Sequence, residues 1–125
     1  MPIVNYAEAI NELAAEISQT AEEKGFWDIE EVGEIGLVAL KLALVHSEVT
    51  EALVVHRNDY ENEGEQNDIL TNMTSIQEDD FVGELADIVI RVLDITGYYD
   101  LDIGNAIIGK MEANRGRPYR HGKRY

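Results

Sequence analysis

Apolar residues return at every third or fourth position in four separate stretches of the chain, a period that only an α-helix turns into a continuous face. In the first stretch, from Val4 to about Lys24, Tyr6, Ile10, Leu13, Ile17 and Ala21 share one side, with Glu8, Glu12, Glu16 and Glu22 outside, and Gly25 ends the element. A second helix begins near Ile29 or Glu34, with its first turns weakened by Gly33 and Gly36, and ends near Arg57. A third runs from about Asp80 to Thr96, with Asp79 or Asp80 as N-cap and Gly97 as the stop. On it Phe81, Leu85, Ile88, Val92 and Ile95 form an apolar stripe beside a charged one of Glu84, Asp87, Arg91 and Asp94. Taken alone, that charged stripe reads as an ordinary wet face. The last helix, Asp102–Asn114, is expected to bury Ile103, Ala106, Ile107 and Met111, and Lys110 and Asn114 share a face at i, i+4.

Two stretches break the pattern. Asp59–Asp80 holds eight acids and no Lys or Arg, with Gly64 among Asn and Gln, and reads as a long acidic surface loop or flap with a short helix around Ile69–Met73. The connector Gly25-Phe26-Trp27-Asp28 carries the single tryptophan, which either caps the end of the core or offers an aromatic wall to a flat ligand. The fold class expected is all-α: a four-helix bundle-like single domain over residues 1–125, ending in a basic tail at 115–125. So thin a core predicts assembly as a homodimer or homotetramer, with Tyr98, Tyr99 and the first helix as the expected interface.

Composition narrows the function classes. A chain of 125 residues that is 45% hydrophobic supports one globular domain, and without cysteine any metal must be held by oxygen or imidazole. The net charge of −15 argues against nucleic acid, whose affinity rests on cations meeting phosphates. No run is apolar enough to span a membrane and the first twenty residues have no apolar signal core, so the cytoplasm is the expected compartment. Charge is nevertheless uneven: six of the ten Lys and Arg residues lie in the last sixteen positions, where a small anion can be met.

The second helix carries acids where it should be greasy. With Glu48 taken as reference, Leu37, Leu44, Val45, Ala52 and Val55 lie within about 60° of it, and Glu51 is one turn on at the edge of the same face. An ionised carboxylate turned into an apolar interior must neutralise, pair or bind a cation. Glu84 and Asp87 repeat the three-residue spacing on the third helix, so two facing pairs would converge on a site for a hard divalent cation. Di-iron bundles need Glu-x-x-His, which the chain lacks; an all-carboxylate set suits Mg²⁺ or Mn²⁺, ions that bind phosphates and activate water.

GFWD, then KLALVHSEVTEAL, GELADIVIRVLD and KMEANRGRPYRHGK together resemble the MazG-like nucleotide pyrophosphohydrolases of the all-α NTP pyrophosphohydrolase superfamily, over most of the chain. The resemblance implies Mg²⁺-dependent hydrolysis of a nucleoside triphosphate, or its deoxy form, to the monophosphate and pyrophosphate, a reaction suited to cleaning the nucleotide pool. It implies Glu48, Glu51, Glu84 and Asp87 as metal ligands, with Glu48 or Glu51 also orienting or deprotonating the attacking water. Lys41, Lys110, Asn114, Arg117 and Lys123 would contact substrate, and Trp27 resembles the aromatic that stacks on the base. The chain departs from many members in having Ser47 before Glu48, where they carry a further acid, and in the 32 residues between Glu51 and Glu84. The alternatives are a non-catalytic helical interaction module that keeps the fold, its acids paired with Lys41 and Arg91, and a hydrolase of another diphosphate-containing nucleotide.

Overall fold

A computed structural model describes residues 4–63 and 76–122, and these are all-helical. Among the described residues four α-helices follow one another: α1 (Tyr6–Glu23), α2 (Gly33–Glu63), α3 (Ile76–Tyr98) and α4 (Ile103–Arg115), with short 3-10 turns at Glu30–Val32 and Tyr119–Gly122. α3 is the central element: α1 and α2 both pack on it, and α4 packs on α1. No helix among the described residues is long and apolar enough to cross a membrane.

The helix ends are set by local chemistry. Asn5 starts α1 by accepting the Glu8 N–H on its side-chain oxygen at 3.0 Å, and Gly25, at φ 80°, turns the chain out of the helix. α3 runs through Gly97 rather than stopping there. Its end is closed by Asp100 in the left-handed region, with the Leu101 N–H bonded to the Thr96 carbonyl and the Asp100 N–H to the Gly97 carbonyl, the paired closure of a Schellman motif. α2 reaches Glu63 and α3 begins at Ile76, so both ends of the expected acidic loop are helical and neither Asp79 nor Asp80 is an N-cap. The rest of that stretch, including the proposed short helix around Ile69–Met73, lies outside the described residues.

Gly97 has a different task. A Cβ there would overlap the Ala14 carbonyl and stand 2.8 Å from Ser18 Cβ, and a Cβ on Gly104 would overlap the backbone of Ala7. The backbone of α1 thus touches α3 and α4 directly. This corrects the expected inner face of α1: the buried residues are Ala7, Ala14 and Ser18, whereas Tyr6 and Leu13 are exposed. Small residues win because close backbone approach leaves no room for larger ones, and each glycine supplies the matching hollow. Asn11 fastens the same face, donating to Asp102 Oδ1 and accepting the Gly104 N–H, both at 2.8 Å. Asp102 caps α4 as well, and its bonds from Asn105 and Asn11 hold its carboxyl below the usual range. Of the apolar residues expected to be buried on α4, Ile103 and Ile107 are half-buried, but Ala106 and Met111 are exposed.

The core is thin, and no large side chain in the described residues is fully buried. Apolar stripes remain uncovered on α2 (Ile35, Leu42, Val49, Leu53) and on α3 (Val82, Leu85, Val89). Replacing Gly97 by Ala is expected to lower stability by about 3 kcal/mol or more in denaturant unfolding, because backbone cannot yield to the new methyl. Gly83→Ala, on the same helix with open space at its Cβ, is expected to raise it by about 0.5–1 kcal/mol.

Candidate functional site

The turn after α1 delivers Trp27 into the protein, where it is 6% exposed. Tyr98 of α3 stacks on its ring at 3.7 Å, nearly parallel, and Tyr99 meets it edge-on at 5.7 Å. The Lys41 ammonium lies over the same ring at 4.4 Å. A stacked tyrosine and an ammonium cannot share one ring face at those distances, so both faces of Trp27 are covered. Its Nε1 donates to Asp94 at 2.9 Å, so the buried acid has a partner. Trp27 is therefore a core residue, and the expected base-stacking wall is not formed by it. Tyr98 and Tyr99, expected at a dimer interface, are engaged inside the same cluster.

Lys41 belongs to this cluster too. Only 4% exposed, it donates to the Phe26 carbonyl at 2.7 Å, and burial lowers its pKa against the opposing pull of Asp94. It ties the connector to α2 and does not line the cleft beside the acids.

The acids converge as their spacing predicts. Glu48 of α2 is 8% exposed, on the face that also buries Leu37 and Ala52. Glu84 and Asp87 come up from α3, and one oxygen from each of Glu48, Glu84 and Asp87 lies within 4.8 Å of the others. Glu51 stands beside the cluster: its contact with Glu48 and the charge there, followed by burial and Glu84, push its carboxyl above the usual range. One oxygen of Glu84 is buried with no hydrogen-bond partner. Among the described residues one cation is in contact with these acids, Arg91, whose Nε donates to Glu48 at 3.1 Å. The donor set is entirely hard oxygen, and a divalent cation among these residues would give the unpartnered Glu84 oxygen a partner and offset the charge that raises Glu51. Mg²⁺ and Mn²⁺ thus fit these residues.

The acids open into a cleft of about 710 Å³ between α1, α2 and α3. Glu48, Glu51, Asp87, Arg91 and Asp94 line its charged side, and Leu13, Ile17, Ala21 and Phe26 line the opposite, mostly apolar side, where Glu16 and Thr20 also stand. Arg91 and Asp94 are site residues that the sequence pattern left on a solvent-facing stripe. The signal was present, since they continue the Glu84–Asp87 stripe by one and two turns, but a periodic stripe does not say which neighbour covers it. Lys110, Asn114 and Arg117 are exposed on α4 and just beyond it, none lines the cleft, and α4 packs on α1. The structure does not bring them to the acids within one chain. Lys123 lies outside the described residues.

Fold and site together define an all-α chain with a carboxylate cluster at one side of an amphipathic cleft. No protein-family model matches the chain, and no curated protein or solved structure does.

Glu84→Gln is expected to raise the metal-free melting temperature, by about 1 kcal/mol in stability terms, since an amide can donate to Glu51 where a carboxylate cannot. Wild-type protein is expected to gain stability on addition of Mg²⁺, and the variant to lose that gain. Differential scanning calorimetry with and without Mg²⁺ checks both.

Proposed function

We propose that the chain is a divalent-cation-dependent hydrolase that cleaves a nucleoside or deoxynucleoside triphosphate to the monophosphate and pyrophosphate. The observation that carries this reading is the meeting of Glu48, Glu84 and Asp87 oxygens within 4.8 Å across two helices. These three, with Glu51 beside them, would hold Mg²⁺ or Mn²⁺. Such an ion, when bound, neutralises phosphate charge and makes a water acidic enough to attack phosphorus near neutral pH.

The remaining work falls to side chains. Glu51, beside Glu48 and on the wall of the cleft, is the proposed base that takes a proton from the attacking water. Leu13, Ile17 and Phe26 form the side of the cleft suited to a flat base, and Phe26, which is exposed, takes the stacking part expected of Trp27. Lys110, Asn114 and Arg117 would reach a substrate only from another copy of the chain. Homodimer or homotetramer assembly belongs to the same reading, and the uncovered stripes on α2 and α3 support it. By helical angle they lie on the side away from Glu51 and Asp87, about 140–200° around each axis, so a partner there would leave the cleft open, and a copy that brings Lys110, Asn114 and Arg117 to the substrate must dock on another face.

A second reading has its own support. The Glu48–Arg91 pair is the kind of contact by which a non-catalytic interaction module could keep its acids neutralised. A panel of NTPs and dNTPs with Mg²⁺, assayed for pyrophosphate release, separates the two. The hydrolase should turn over at least one member, and Glu48→Gln should lower the rate about a hundredfold or more by removing a metal ligand. Release from none of the panel favours the module, and turnover confined to other diphosphate-containing nucleotides would reassign the substrate while keeping the site.

A further inference from the structure

Arg91 stands where its partner is most in demand. Its Nε donates to Glu48 Oε1 at 3.1 Å, and Glu48 is also one of the three acids whose oxygens gather within 4.8 Å. A guanidinium and a divalent cation therefore compete for one carboxylate. The two partners are unequal in burial: the Glu48 side chain is 10% exposed and that of Arg91 36%. The contact engages one nitrogen and one oxygen rather than the two-pronged fork that makes arginine–carboxylate pairs strong, so it is weak and replaceable. Arg91 is also tethered. It follows Asp87 by one turn on α3 and lines the same cleft, between Ile90 and Asp94 in position, so on leaving Glu48 its guanidinium stays beside the acids.

We propose that Arg91 is a placeholder that becomes a phosphate ligand. In the metal-free protein it neutralises Glu48. When a divalent cation takes Glu48, the guanidinium is released within the cleft and binds a phosphate of the nucleotide, so cation loading and anion recognition are one exchange. Its planar donors suit phosphate oxygens, and it supplies the positive charge that Lys110 and Arg117 do not bring to the cleft within one chain. This inference rests on the cation-dependent reading of the site.

Calorimetric titration of the whole chain tests it, with Mn²⁺ as first probe and inorganic pyrophosphate as second. Arg91→Met is compared with Arg57→Met, which removes the same charge from α2 about 13 Å along the axis from Glu48. Arg91→Met is expected to bind Mn²⁺ about three- to fivefold more tightly than Arg57→Met, because the competitor is gone. With Mn²⁺ saturating, it should bind pyrophosphate about tenfold more weakly. Arg91→Lys, which keeps the charge without the fork, should fall between in both titrations, an order that a general loss of fold would not produce. Equal Mn²⁺ affinity in the Arg91→Met and Arg57→Met proteins overturns the exchange at Glu48, and equal pyrophosphate affinity overturns the release onto phosphate. Either result, in a wild-type protein that binds Mn²⁺, leaves the cation-dependent reading intact; a wild type that binds no Mn²⁺ removes both.

Discussion

Four carboxylates gather beside one cleft, Glu48, Glu51 and Asp87 on its wall and Glu84 next to them, with a single guanidinium in contact among the described residues, and that imbalance of charge constrains the rest of the site. Acids this close repel one another unless a counter-charge stands among them. Arg91 supplies part of it at Glu48, while the Glu51 carboxyl is held above its usual range and one oxygen of Glu84 is left without a hydrogen-bond partner. A divalent cation would answer all three.

Holding the acids together requires that α3 be fixed relative to α2, and the fixing is done from behind. α1 seats its backbone directly on Gly97, and the Asn11–Asp102–Gly104 bonds lock α4 onto α1. On the other flank, Trp27, Tyr98, Lys41 and Asp94 form a cluster that ties the α1–α2 connector to both neighbouring helices. The cluster shares Asp94 with the wall of the cleft, so the aromatic core and the acidic site meet at a common residue. The same frame leaves apolar stripes on the far side of α2 and α3 without cover, the expected cost of a small chain with a thin core.

Helical period was enough to find the helices and to turn Glu48 inward among Leu37 and Ala52, although α2 carries a second apolar stripe, Ile35, Leu42, Val49 and Leu53, that stays uncovered. It misjudged α1, where the large apolar residues draw attention to Tyr6 and Leu13 while the buried contact is made by Ala7, Ala14 and Ser18. Apolar size signals burial only where helices stand apart; where backbones touch, smallness does, and Gly97 looked like a stop for the same reason. The signal for its true role sat on the partner helix. Trp27 shows a related limit: its neighbours in sequence marked a turn, but its stacking partner and its bond to Asp94 come from residues about seventy positions away. The distance between the acids and Lys110, Asn114 and Arg117 was likewise beyond the pattern, since periodicity assigns a face to each helix and not a neighbour.

Whether the acidic cluster holds a cation is read by anomalous diffraction at the manganese edge from a crystal grown with Mn²⁺. A peak is expected among Glu48, Glu84 and Asp87, with Arg91 turned away from Glu48. A crystal in which that position stays empty at millimolar Mn²⁺, with Arg91 still bonded to Glu48, would contradict a cation site there.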